Sequence, residues 1–284
     1  MSFLTRYILI TICIISPASA QEYRLEDTGN DVYRYVAGNY RSVVINTSDG
    51  IVVVDPLNTD AANWLKKEVK ERFNKPVRYV IYSHSHPDHS YGGNVFDDGN
   101  TVFISHEDAR ANLVRTKAQT TIPKLVFSDT FILHAGESSI EMRYLGPNNG
   151  YGNVAIRIQP GNILMVTDWI TLGRLPYKDL MGYDIEGMIV SVEEVLKQPF
   201  NLFIGGHADT GSYRDVENYR NYLVTLHDTV LEGILAGKSL EEIQTTKALS
   251  PWSELKMFEE WMPLNIEGVY NQLMSRSYIQ LRPE

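Results

Sequence analysis

The stretch that most constrains this chain is His84-Ser85-His86-Pro87-Asp88-His89, which follows an apolar segment over residues 77–82. That segment, Val-Arg-Tyr-Val-Ile-Tyr, is rich in β-branched and aromatic residues and reads as a buried strand. Three of the seven histidines fall within the six positions that follow it, together with a carboxylate. Imidazole and carboxylate are the natural ligands for first-row metals in a chain with almost no thiols. A loop at the C-terminal end of a strand gives them a rigid base and leaves them open to substrate. The run reads as a metal site rather than as a histidine-rich surface turn.

The N-terminus reads as an export signal. Arg6 supplies the positive flank and residues 7–15 the apolar stretch. Ser16-Pro17 breaks that stretch, and Ala18-Ser19-Ala20 is a small-x-small cleavage pattern ahead of Gln21. The apolar run is too short to span a bilayer. The expectation is a signal peptide over 1–20, no membrane insertion after its removal, and an exported, periplasmic protein. Cys13 is the sole cysteine, so the mature chain holds no disulfide and relies on packing or metal binding for stability. A formal charge of -9 argues against non-specific binding to nucleic acid or to an anionic membrane surface, and the partner expected of a metal site open to solvent is a small-molecule substrate.

Strands are expected over 32–36, 41–46 and 51–54, with Ser48-Asp49-Gly50 as a hairpin turn. A helix follows over 59–73, with Ala62, Leu65, Val69 and Phe73 on one stripe. Further strands are expected over 101–104, 131–133, 140–144, 154–158, 163–166 and 202–204, and helices over 106–117 and 185–197. From 213 onward the pattern is helical, with Pro251 and Pro263 as breaks. Two β-rich stretches, each with helices, imply an α/β (α+β) arrangement of two packed sheets with helices outside. No linker interrupts 21–284, which reads as a single domain with a helical C-terminal part.

Candidate ligands recur where strands end: the hexapeptide, Asn149, Asp168 and His207. Strand-His84-x-His86-x-Asp88-His89, then Asp168, then Gly206-His207, resembles the metallo-β-lactamase-fold hydrolases over residues 32–207. Val52-Val53-Val54-Asp55 matches the strand and aspartate that precede the motif in that family. The resemblance implies an αββα sandwich of two mixed sheets with one or two zinc ions at its edge. It implies that His84 and His86 hold a first ion, that Asp88, His89 and His207 hold a second, and that Asp168 bridges them. One position departs: Asn149, or Asn148, stands where the family carries a third histidine. An amide oxygen is a weaker donor to zinc than imidazole, so the first site is expected to bind more weakly and the second to fill first. His106 and His134 lie outside the pattern and read as structural.

The chemistry expected of such a site is hydrolysis by metal-activated water, with Asp88 orienting the water or accepting its proton. No Gly-x-Ser-x-Gly elbow offers a serine nucleophile. Asp55 is either a partner that fixes a histidine tautomer or a turn residue ahead of Pro56. Arg174 and Lys178, in an aromatic and basic stretch after Asp168, either pair with an anionic substrate group or belong to a loop that caps the core. The sequence thus reads as an exported hydrolase of a small ester, lactone, thioester or β-lactam. The alternative is a metal-binding accessory protein with little turnover. Di-iron oxidoreductase chemistry, known in this fold, ranks below both because no flavin- or nucleotide-binding module is present.

Overall fold

The computed structural model describes residues 22–276. The signal peptide expected over 1–20, with Cys13, lies outside them. Seven strands form a first sheet in chain order: β1 (Tyr23–Asp27), β2 (Val32–Ala37), β3 (Tyr40–Thr47), β4 (Gly50–Val54), β5 (Val77–Tyr82), β6 (Val102–His106) and β7 (Leu125–Phe127). Pairing is antiparallel from β1 to β4 and parallel from β4 to β7. The second sheet is built from β8 (Thr130–Ala135), β9 (Ser138–Tyr144), β10 (Val154–Gln159), β11 (Ile163–Val166) and β12 (Leu202–Gly205). Its order is β12-β11-β10-β9-β8, antiparallel except for the parallel β11–β12 pair. Both sheets are mixed, as the resemblance implied.

Side-chain alternation along the strands sorts the core into three layers. Val43, Ile45, Val52, Val54 and Ile81 point from the first sheet toward Ile140, Met142, Ile156 and Met165 of the second. The opposite face of the first sheet, with Val44, Ile51, Val53 and Val80, packs on helix α1 (Thr59–Phe73) through Ala61, Leu65 and Val69. β4 is buried on both faces, which is why it reads as an unbroken apolar run. The outer face of the second sheet, with Leu164, Val166 and Phe203, is covered by helices from the later chain. The order is helix, sheet, sheet, helix.

α1 begins where the sequence predicts because Asn58 caps it, its side chain accepting from the Ala61 N–H at 3.0 Å. A four-residue helix, α2 (Pro87–Ser90), lies inside the histidine run, and α3 (Glu107–Arg115) starts from His106. His106 caps α3 by accepting from the Asp108 N–H, and its other ring nitrogen meets the Ser128 carbonyl at 2.9 Å. His134 is exposed on β8. Among the described residues, neither belongs to a group of donors that could hold a metal ion. After α4 (Ile185–Leu196), the chain ends in α5 (Tyr213–Leu235), the short α6 (Leu240–Gln244) and α7 (Phe258–Arg276).

Pro263 is not a break; it lies in the second turn of α7. Near a helix start a proline removes a single ladder bond, and Ile266, Val269 and Leu273 still bury the following face. β1 and β7 do not stand out in the sequence because they are short, partly exposed edge strands.

Leu65→Ala removes a fully buried side chain between α1 and the first sheet. It is expected to cost about 2–5 kcal/mol in urea unfolding, against roughly 0.5 kcal/mol or less for Val190→Ala on the exposed face of α4.

Candidate metal centre

Parallel pairing brings the C-terminal ends of β4 and β5 together, and likewise those of β11 and β12. Asp55 follows β4, Ser83 to His89 follow β5, Asp168 follows β11 and His207 follows β12. Rigid strands thus carry residues 152 positions apart in sequence, from Asp55 to His207, to one rim. The backbones of Asp55 (φ 48°) and Asp168 (φ 73°) occupy the left-handed region, an uncommon conformation that aspartate tolerates better than most residues. Gly206 is required where it stands: a Cβ there would lie 2.4 Å from Thr167 Cγ2 and 3.0 Å from His89 Cε1.

Asp168 is the centre of the cluster. Its Oδ2 lies 3.0 Å from His84 Nε2 and 3.1 Å from His86 Nδ1. Its Oδ1 lies 3.1 Å from His207 Nε2 and 3.4 Å from His89 Nε2. Asp88 Oδ2 completes the second side at 3.5 Å from His207 Nε2 and 3.6 Å from His89 Nε2. Two groups of three donors result, His84, His86, Asp168 and Asp88, His89, His207, each of which could hold a metal ion.

The far side of each ring decides which nitrogen is free. Ser83 Oγ donates to Asp55 Oδ2 at 2.6 Å, so it must accept from His84 Nδ1–H at 2.9 Å. His207 Nδ1 meets the Asn39 carbonyl, an acceptor only, at 3.2 Å and therefore carries the proton. In the neutral ring, Nε2 of His84 then presents a lone pair toward the Asp168 carboxylate, whereas burial works to lower the His207 pKa but Asp168 and Asp88 raise it above the ordinary histidine value. Two acceptors of this kind do not bond to one another across 3.0 Å without a cation between them. Asp168 Oδ1 is buried with no aligned hydrogen-bond donor, which fits the same need. The donor set of imidazoles and carboxylates suits zinc or a similar divalent ion.

Charge is shared unevenly among these rings and carboxylates. Burial, reinforced by His86, pushes the His84 pKa down and keeps that ring neutral. Burial opposes ionisation of Asp168, yet His89 and His84 hold its carboxyl well below the usual range. Burial likewise works against Asp88, but His207 and His89 keep it below its ordinary value. Burial would lower the His89 pKa, but Asp168 and Asp55 raise it well above the ordinary histidine value. Protons and metal ions compete for these same nitrogens.

Asp55 is fully buried and is more than a turn residue. It accepts from the Ser83 N–H at 2.7 Å, from Ser83 Oγ, and from Thr167 Oγ1 at 3.1 Å, and lies 3.6 Å from His89 Nδ1. Asn148 is fully buried and directed into the protein, its amide donating to the Asn153 carbonyl and to Ser191 Oγ. Asn149 instead lines a cavity of about 800 Å³ beside His86, Asp88, Asp168 and His207. Arg174 and Lys178 line the same cavity.

Sequence reasoning missed Ser83, Tyr40 and Tyr183 as members of the site. Tyr40 packs its ring 5.5 Å from that of His207, and Tyr183 lines the cavity and pairs its backbone with Asn149. Nothing in the sequence separates either from the other tyrosines. Ser83 had a signal, its place between a strand end and the first histidine.

A family model described as the metallo-beta-lactamase superfamily matches residues 36–216. The chain belongs to that superfamily and is a metallo-hydrolase of its kind. It is 22% identical over 246 residues to the alpha subunit of the 2,4-dinitroanisole O-demethylase of Nocardioides sp. (strain JS1661), a match covering 83% of this chain and 75% of that protein. The beta subunit from the same strain is 24% identical over 221 residues, covering 74% of this chain and 68% of that protein. Among solved structures, a metallo-beta-lactamase from Pontibacter korlensis aligns with a TM-score of 0.65 at 14% identity, covering 71% of this chain and 99% of that one.

Ser83→Ala removes the acceptor that orients His84. Zinc affinity, measured by competition with a chromogenic chelator, is expected to fall about 10–100-fold.

Proposed function

We propose that this protein is an exported zinc-dependent hydrolase of a small ester, lactone, thioester or β-lactam. The observation that carries the reading is Asp168, whose two carboxylate oxygens face two separate groups of imidazoles at the mouth of a roomy cavity. A bound divalent ion would lower the pKa of its water toward neutrality and polarise a substrate carbonyl. His84, His86 and Asp168 would hold one such ion; Asp88, His89, His207 and Asp168 would hold the other. Asp88, ionised and partly open to the cavity, is placed to orient water and accept its proton. Export rests on the signal-like residues 1–20.

The two ions are held unequally in this account. Asn149 offers an amide oxygen where the family carries a histidine, and amide oxygen is the weaker donor to zinc. The group containing Asp88, His89 and His207 therefore fills first. Zinc titration of the chelated protein is expected to give one tight and one weak binding step; two equally tight ions per chain would contradict the assignment.

The reading is tested with the mature protein, chelated and then reloaded with zinc or manganese. The substrates are nitrocefin, a lactone, a thioester and, because two relatives carry its name, 2,4-dinitroanisole. Hydrolysis of at least one, lost on chelation and restored by metal, is expected. Turnover no greater than that of a His89→Ala control across the whole panel would favour the accessory role instead.

A further inference from the structure

The segment after Asp168 is held by parts of the chain that lie beyond the family match at 36–216. Asn265 of α7 is fully buried and hydrogen-bonded through both ends of its amide. Its Nδ2 donates to the carbonyls of Pro176 at 3.1 Å and Lys178 at 2.6 Å, and its Oδ1 accepts from Tyr222 of α5 at 2.7 Å. Just before α7, Lys256 pairs with the same segment: its N–H meets the Gly173 carbonyl, and its own carbonyl accepts from the Leu175 N–H. Gly268 lets α7 approach closely, since a Cβ there would lie 2.1 Å from the Asp179 carbonyl oxygen. Lys178 (φ 47°) and Leu180 (φ 54°) adopt left-handed backbone, a conformation such side chains keep only where surrounding contacts dictate it.

This clamped segment presents Arg174 to the cavity, together with Tyr177, Lys178 and Asp179. Its guanidinium lies over the Trp261 ring of α7, 5.1 Å from the centroid. Among the described residues no carboxylate lies within 4.0 Å of its nitrogens, and its Nε is buried without a hydrogen-bond partner. The other charged groups lining the cavity have different surroundings. Asp88 and Asp168 face the histidines, and Lys178 and Asp179 are exposed. An arginine held on an aromatic face, unpaired and turned to a cavity, is a receptor for a planar anion.

We propose that α7 is a specificity element: Asn265 and Trp261 position Arg174 to receive a carboxylate on the substrate, so that the enzyme selects small anionic substrates over neutral ones. The inference rests on the hydrolase reading of the metal centre. Arg174 is the binding residue; Asn265 and Trp261 act through it.

The test uses the full mature, zinc-loaded protein and two esters that differ in one carboxylate, 4-nitrophenyl hemisuccinate and 4-nitrophenyl acetate. Wild type is expected to favour the hemisuccinate by about tenfold or more in kcat/KM, and Arg174→Gln to erase the preference. Asn265→Ala is expected to cut it about fivefold, through KM on the hemisuccinate rather than kcat. Trp261→Phe, which keeps an aromatic face, should retain the preference that Trp261→Leu loses. Equal kcat/KM on both esters in wild type would overturn the proposal. So would a preference that survives Asn265→Ala and Trp261→Leu in folded protein. If neither ester is cleaved, the failure touches the hydrolase reading, and calorimetry with succinate decides the inference separately. Succinate binding weakened about fivefold or more by Arg174→Gln and by Asn265→Ala supports it, and binding unchanged in both contradicts it.

Discussion

A single buried carboxylate ties the two sheets together behind the metal centre. Asp55 follows the central strand of the first sheet and accepts from Ser83, at the end of the neighbouring strand, through both backbone and hydroxyl. It also accepts from Thr167, at the end of a strand in the second sheet. His84 hangs from Ser83 and Asp168 follows Thr167, so the geometry that brings His84 and Asp168 to 3.0 Å depends on this one anchor. A buried carboxylate is tolerated only when fully hydrogen-bonded, and here the same bonds that satisfy it set the spacing of the donors.

Much of this was legible in the sequence, for physical reasons that differ from residue to residue. The runs 51–54 and 163–166 announce buried strands because both their faces are covered. The hexapeptide announces a metal site because imidazoles crowd the end of a strand. Asp168 and His207 are legible only as members of a pattern; alone, each is an ordinary loop residue. The state of Asp55 could not be read, since an aspartate before a proline looks the same whether it is a turn or a buried anchor. Choosing between Asn148 and Asn149 likewise required the fold, which turns one amide inward to Asn153 and Ser191 and leaves the other lining the cavity.

The helical C-terminal part looks in sequence like packing, and most of it is: Trp261, Ile266, Val269 and Leu273 are buried in the core shared by α4, α5 and the outer face of the second sheet. Its polar members have a different reach. Asn265 binds two carbonyls of the segment that carries Arg174, and Gln272 Oε1 accepts from the Ile185 N–H at the start of α4. The cavity wall that carries Arg174, Tyr177 and Lys178 is therefore held by a helix outside the family match, and that wall is where substrate choice can vary while the metal ligands stay constant.

Asp168 is expected to serve two ions at once, and zinc-edge anomalous diffraction from crystals grown with zinc tests this most directly. A strong peak among Asp88, His89, Asp168 and His207, with a weaker one among His84, His86 and Asp168, is the predicted result. Anomalous density absent from Asp168, or confined to sites that do not touch it, would contradict it.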